Sequence, residues 1–232
     1  MKDMKTVIDL FERSCEKFPD NPYLWEKKNG KFAATSYMEV KREVLNFAGA
    51  LCQLGMDRGD RIALLSEGCN AWVYSELGML YAGGVNVPLS IKLTDNEIVF
   101  RVEHSQARFL IVSANFLSRV RGIEGRIGGV EKIIVIHSDI NEDKYVSFEL
   151  LQREGEIWRG KHKELLNHRI HVVTEDDLVN ISYTSGTTAE PKGIMLSHRN
   201  YVTNVLQSDS LIQIPACYRI LLFLPWDHSF AH

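Results

Sequence analysis

Apolar positions along the chain change period several times, and each change predicts an element. Val7, Leu10, Phe11, Cys15 and Phe18 recur at helical spacing and stop before Pro19, which predicts an amphipathic opening helix. In "YLWEKKNGKFAATSY" the dipeptide Asn29-Gly30 stands between two strand-like runs and supplies the positive φ angles that a tight hairpin turn requires. Ser36 and Glu39 then form an S-x-x-E capping box, and Val40, Val44, Phe47, Ala48 and Leu51 make one apolar helix face up to Gly55. Short apolar runs and amphipathic runs alternate after that. "RIALLS" (61–66) reads as a buried strand, "NAWVYSELGMLYAGG" as a helix ending at glycine and "VNVPL" as a short strand. "TDNEIVFRVEHS" reads as a helix opened by a Thr94-x-x-Glu97 box, and "RFLIVS" and "KIIVIH" as further strands separated by a helix and the turn "GIEGRIGGV".

This β-α-β alternation predicts an α/β fold, a largely parallel sheet with helices packed on it. Residues 138–175 are less regular and more charged, and "REGEIWRGKHKELLNHR" reads as a solvated helix and loop crossing between lobes. The strand "LVNISY" (178–183) follows, then a polar loop, a helix from about Ser197, the strand "RILLFLPW" and "DHSFAH". The expected division is a first α/β lobe over 1–175 and the start of a second unit over 176–232.

Composition narrows the function classes. The 232 residues are 45% hydrophobic and 25% charged, enough apolar material for a sizeable core. A net charge of −3 provides no general basic field for nucleic acid, so any anion site has to be local. Cys15, Cys52, Cys69 and Cys217 form no CxxC pair and no His/Cys ligand spacing, so neither a disulfide framework nor a structural zinc site is expected, and no metal ligands are assigned. The chain reads as reduced and cytoplasmic. No signal peptide is visible, and no apolar run approaches the roughly 20 residues of a membrane-crossing helix. Peripheral contact with a membrane is left open.

The candidate chemistry lies in "ISYTSGTTAEPKGIMLSHRN" (181–200). Tightly turned backbone N–H groups, short hydroxyls and a mobile lysine together bind phosphate. Thr184, Ser185, Thr187 and Thr188 supply the hydroxyls and Lys192 the charge. The loop is not the G-x-x-x-x-G-K-[ST] type, because Pro191 replaces its second glycine and Gly193 its magnesium-binding hydroxyl. A G-x-S-x-G elbow fails at Tyr183, and no G-x-G-x-x-G is present.

"YTSGTTAEPKGIMLSHRN" resembles the phosphate-loop signature of the adenylate-forming superfamily of acyl-CoA synthetases, luciferases and peptide-synthetase adenylation domains, and "FLPWDHSF" (223–230) resembles a segment of fatty acyl-CoA synthetases. "GDRIALLSE", "AGGVNVPL", "NEIVFRVEHSQARFLIVS" and "DDLVNISY" look like successive segments of the same family. The resemblance implies the N-terminal part of that fold, incomplete at its C-terminus, and ATP-dependent activation of a carboxylic acid followed by transfer to a thiol such as coenzyme A. It implies that Thr184, Ser185, Gly186, Thr187, Thr188 and Lys192 hold the β- and γ-phosphates. His228 would stand beside the acyl carboxylate and α-phosphate, and Trp226 and Phe230 would wall an acyl pocket. ATP, Mg2+ and coenzyme A are the implied co-substrates and cofactors, with a medium- or long-chain fatty acid as substrate. An aryl or amino acid substrate, or a non-catalytic phosphate-binding module, is the alternative.

Blander readings stand beside these. His198 reads as a packing or capping residue at a helix start, His228 equally as a polar residue at a strand end, Asp227 as a solvated neighbour and Cys217 as a packing residue. Ala189 replaces the family glycine, and left-handed geometry there would cost about 1–2 kcal/mol, so a negative φ or ordering by ligand is expected. The family's Y-G-x-T-E and T-G-D segments and its mobile C-terminal domain have no counterpart here. The chain is therefore expected to be an N-terminal piece, catalytically silent alone.

Overall fold

The structure is a computed structural model and describes residues 4–184, 191–212, 214–222 and Trp226. Helix α1 (Val7–Lys17) opens with a capping box in which the Thr6 hydroxyl accepts from Asp9 N–H and the Asp9 carboxylate accepts from Thr6 N–H. Strands β1 (Pro22–Lys28) and β2 (Lys31–Ser36) form the expected hairpin, with Asn29 and Gly30 at φ +50° and +81°. Ser36 and Glu39 cap α2 (Tyr37–Gln53) as the sequence indicates.

The main sheet follows the predicted alternation: β3 (Arg61–Leu65), α3 (Asn70–Tyr81), β4 (Val85–Leu89), α4 (Asp95–Ser105), β5 (Phe109–Ser113), α5 (Leu117–Ile123) and β6 (Lys132–Ile136). A short β7 (Tyr145–Ser147), α6 (Phe148–Lys161) and α7 (Lys163–His171) come next, then β8 (Leu178–Thr184), β9 (Lys192–Ser197) and α8 (His198–Leu211). The strand order is β7-β6-β5-β3-β4-β8-β9, parallel throughout except for the antiparallel β8–β9 pair.

Alternate side chains of each parallel strand enter opposite layers. Ile62, Leu64, Phe109, Ile111, Ile134 and Ile136 pack with α1, α2, α3 and α6. Ala63, Leu65, Leu110, Val112, Ile133 and Val135 pack with α4 and α5. Because α3 and α4 lie on opposite layers, the chain leaves β3 for β4 on one side and returns to β5 on the other. The C-terminal ends of β3 and β5 therefore flank the topological switch point, where open α/β sheets place ligands.

Three sequence expectations require correction. Residues 153–169 are largely exposed as expected but are not a free crossing: α6 docks on α2 at backbone distance, and a Cβ on Gly155 would lie 1.9 Å from the Asn46 carbonyl oxygen. Charge on one face of α6 concealed a buried face of Phe148, Leu151 and Gly155. The helix expected from about Ser197 is α8, with Ser197 as its N-cap, but Lys192–Ser197, read as part of the loop, form β9 against β8. Residues 219–222 of the expected strand "RILLFLPW" join no sheet, and residues 223–225 of it lie outside the described residues.

Candidate active site

The phosphate-loop segment leaves the sheet at β8 and re-enters at β9. The hairpin register pairs Thr184 with Lys192 and Tyr183 with Gly193. Residues directly opposite in an antiparallel pair project to the same face, so an exposed hydroxyl and an exposed ammonium share one side of the loop mouth. A hydrogen-bond donor beside a cation suits a phosphate oxyanion. Ser185, Gly186, Thr187, Thr188 and Ala189 of the loop, and His228 and Phe230, lie outside the described residues.

The hairpin is braced just below its mouth. The Tyr183 hydroxyl is 2.8 Å from His104 Nδ1, and its ring lies edge-on to Phe100 with the Arg101 guanidinium 5.6 Å from its centre. A Cβ on Gly193 would come within 2.9 Å of Ile181 Cγ2 and 3.4 Å of Tyr183 Cζ, so only glycine lets the opposing side chains keep their positions. Burial pushes the Tyr183 phenol up. A glycine directly after a lysine was visible in the sequence, but its packing role and the distant partner His104 carried no local signal.

Side-chain contacts hold the β8–β9–α8 unit together and tie it to the rest of the chain. One Arg58 nitrogen donates to both Asp177 oxygens, at 2.7 and 2.5 Å. Asn180 Nδ2 donates to the Tyr201 hydroxyl at 2.6 Å. Val7 N–H donates to His198 Nδ1 at 3.1 Å, and burial pushes the His198 imidazole down to about 4 against the opposing pull of Asp177 and Asp9. A neutral buried imidazole accepting a backbone proton is a packing and capping residue, as the sequence suggested. The Trp226 indole covers Gly68 and meets Trp72 edge-on with centroids 5.5 Å apart.

Among the described residues, the one group of three or more His, Cys, Asp or Glu side chains with converging ligand atoms is Glu26, Cys69 and His137, whose sulfur and nitrogen suit a softer ion than magnesium. All four cysteines are unpaired, and no helix among the described residues is long and apolar enough to cross a membrane.

The model of the AMP-binding enzyme family matches residues 11–232. Among curated relatives, the long-chain-fatty-acid–[acyl-carrier-protein] ligase AEE15, chloroplastic, of Arabidopsis thaliana is 25% identical over 98% of this chain and 33% of its own length. Long chain acyl-CoA synthetase 1 of the same plant is 29% identical over 89% of this chain and 32% of its own length. The chain thus spans about a third of the length of these relatives. Among solved structures, the anthranilate CoA ligase AuaEII in complex with anthranoyl-AMP superposes with a TM-score of 0.72 at 25% identity, over 88% of this chain and 37% of that one. A parallel sheet ending in a hairpin that presents Thr184 and Lys192 at its mouth, matched from residue 11 to residue 232, places the chain in the family of AMP-binding, adenylate-forming enzymes.

Proposed function

We propose that this chain supplies the nucleotide-gripping part of an AMP-forming acid–thiol ligase, with 1–175 as the first lobe and 176–232 as the start of the nucleotide-binding core. In the first half-reaction a carboxylate oxygen attacks the α-phosphorus of ATP, the bond to the bridging oxygen breaks, and pyrophosphate leaves with that electron pair. In the second, a thiolate attacks the acyl carbon and AMP departs. The hydroxyls of Thr184, Ser185, Thr187 and Thr188, the backbone at Gly186 and the Lys192 ammonium hold the triphosphate tail and stabilise charge that grows on the leaving pyrophosphate. His228 lies beside the reacting carboxylate, and Trp226 and Phe230 border the acyl group. The protein's own contribution is positioning, because the carboxylate is a weak nucleophile.

The observation that carries this reading is the pairing of Thr184 with Lys192 across the loop mouth. A medium- or long-chain fatty acid is the substrate favoured by "FLPWDHSF" and by the names of the fatty acyl relatives. An aryl acid is the second reading, favoured by the anthranilate ligase. The acceptor is coenzyme A or a carrier-protein thiol, and the free cysteines suit a reducing compartment such as the cytoplasm. Acid-dependent ATP–pyrophosphate exchange by the full-length gene product, against a panel of fatty and aryl acids, tests the reading. Exchange that requires a fatty acid and falls about 100- to 1000-fold in Lys192→Ala supports it. The absence of exchange with every acid would favour a non-catalytic phosphate-binding module.

A further inference from the structure

A second constellation lies beyond the C-terminal ends of β3 and β6, far from the phosphate loop in sequence. Glu26 comes from β1, Cys69 from the residue that opens α3, and His137 from the residue that follows β6. Each offers one ligand atom, and these atoms all lie within 4.8 Å of one another. A tetrahedral zinc ion, with bonds of about 2.0–2.3 Å, sets its ligands about 3.5 Å apart, so pairs at that limit close by about an ångström on binding.

The surroundings orient these groups toward a cation. His137 sits at φ +60°, a conformation uncommon outside glycine, and its backbone N–H donates to Glu149 Oε1 at 3.0 Å. The same carboxylate oxygen lies 3.3 Å from His137 Nδ1, the carboxylate–imidazole pairing that fixes a ligating ring. Asn70 N–H donates to Glu26 Oε1 at 3.0 Å, which fixes the second ligand. Glu67, two residues before Cys69, adds a carboxylate whose two oxygens accept from Ser113 Oγ and Asn115 Nδ2. The competing cation is Lys28, 3.5 Å from Glu26 Oε2 on a side chain that is 62% exposed and free to swing into solvent.

We propose that Glu26, Cys69 and His137 form a binding site for a divalent transition-metal ion of the zinc class, with water in the fourth position. Thiolate and imidazole select zinc over magnesium or calcium. Coordination displaces the Cys69 thiol proton to solvent and clips the β1–β2 hairpin to the C-terminal edge of the main sheet. The site is independent of the function proposed above.

The test loads the purified, chelator-stripped chain with Co2+ as a spectroscopic probe and with Zn2+ alone. One equivalent of Co2+ is expected to give a thiolate-to-metal charge-transfer band that Zn2+ abolishes by displacement. Cys69→Ser and His137→Ala should each remove that band, Glu149→Gln should weaken Zn2+ binding by about 10- to 100-fold, and Cys217→Ser should change nothing. Because a ligand variant can fail to fold, the wild-type chain supplies a second measurement. Zn2+ should slow alkylation of Cys69 but not of exposed Cys217, and excess chelator should restore it. A Co2+ spectrum without a thiolate band, or Cys69 alkylation indifferent to Zn2+, overturns the proposal.

Discussion

Strands β4 and β5 are buried throughout and β3 and β6 in all but their first residue, whereas in β9 Ile194 and Met195 are 43% and 65% exposed. Both regions belong to one sheet. The parallel centre is covered on both faces and ordered by close packing. The β8–β9 hairpin is joined to β4 at a single register position, Asn86 opposite Asn180, and carries the residues suited to phosphate at its tip. A region with little buried apolar contact opens and adjusts at low cost, which is where ligand-responsive parts of a protein are found. Substitutions in the first region should therefore cost folding stability, and substitutions in the second should cost binding.

The largest expected effect is in the sealed region. Phe47 is fully buried and its ring centre lies 4.6 Å from that of Phe148, so Phe47→Ala should cost about 4 kcal/mol, seen as a lower urea midpoint at unchanged slope. Gly155→Ala must push α6 away from α2 and should cost about 3 kcal/mol in the same measurement. Acid should act at the seam between the regions. His198 has its pKa lowered to about 4 by burial, against the ordinary 6.5 of an unfolded chain, so the unfolded state gains the proton first. Its contribution is complete above pH 6.5 and is lost as pH falls toward 4, by up to about 3 kcal/mol, and His198→Gln should flatten that part of the stability–pH curve. Smaller still is Arg58→Ala, which removes a partly exposed ion pair with Asp177 and should cost about 1 kcal/mol or less. Lys192→Ala should leave stability within about 0.5 kcal/mol, and a larger loss would blur the contrast between the two regions.

Local signals gave most of the first region directly. Thr94-x-x-Glu97, Ser36-x-x-Glu39 and Asn29-Gly30 act within a few residues, and each does in the structure what its chemistry predicts. What was hidden depends on contacts distant in sequence. The Gly155 face of α6 has meaning only against Asn46 and Ala50 of α2. β9 exists because β8 lies beside it, and its residues Lys192, Gly193 and Ser197 have no strand preference of their own. At the candidate site, Lys192 and Thr184 were recognisable from the motif, but His104 behind Tyr183 was not, because the loop sequence carries no trace of α4.

The central claim is that the loop between Thr184 and Lys192 grips the phosphate tail of a nucleotide. Titrating ATP into the isotope-labelled chain and following its backbone amide resonances tests this most directly. The account predicts that the largest shifts fall within residues 184–193 and disappear in Lys192→Ala. Shifts centred elsewhere, or unchanged by that substitution, would contradict it.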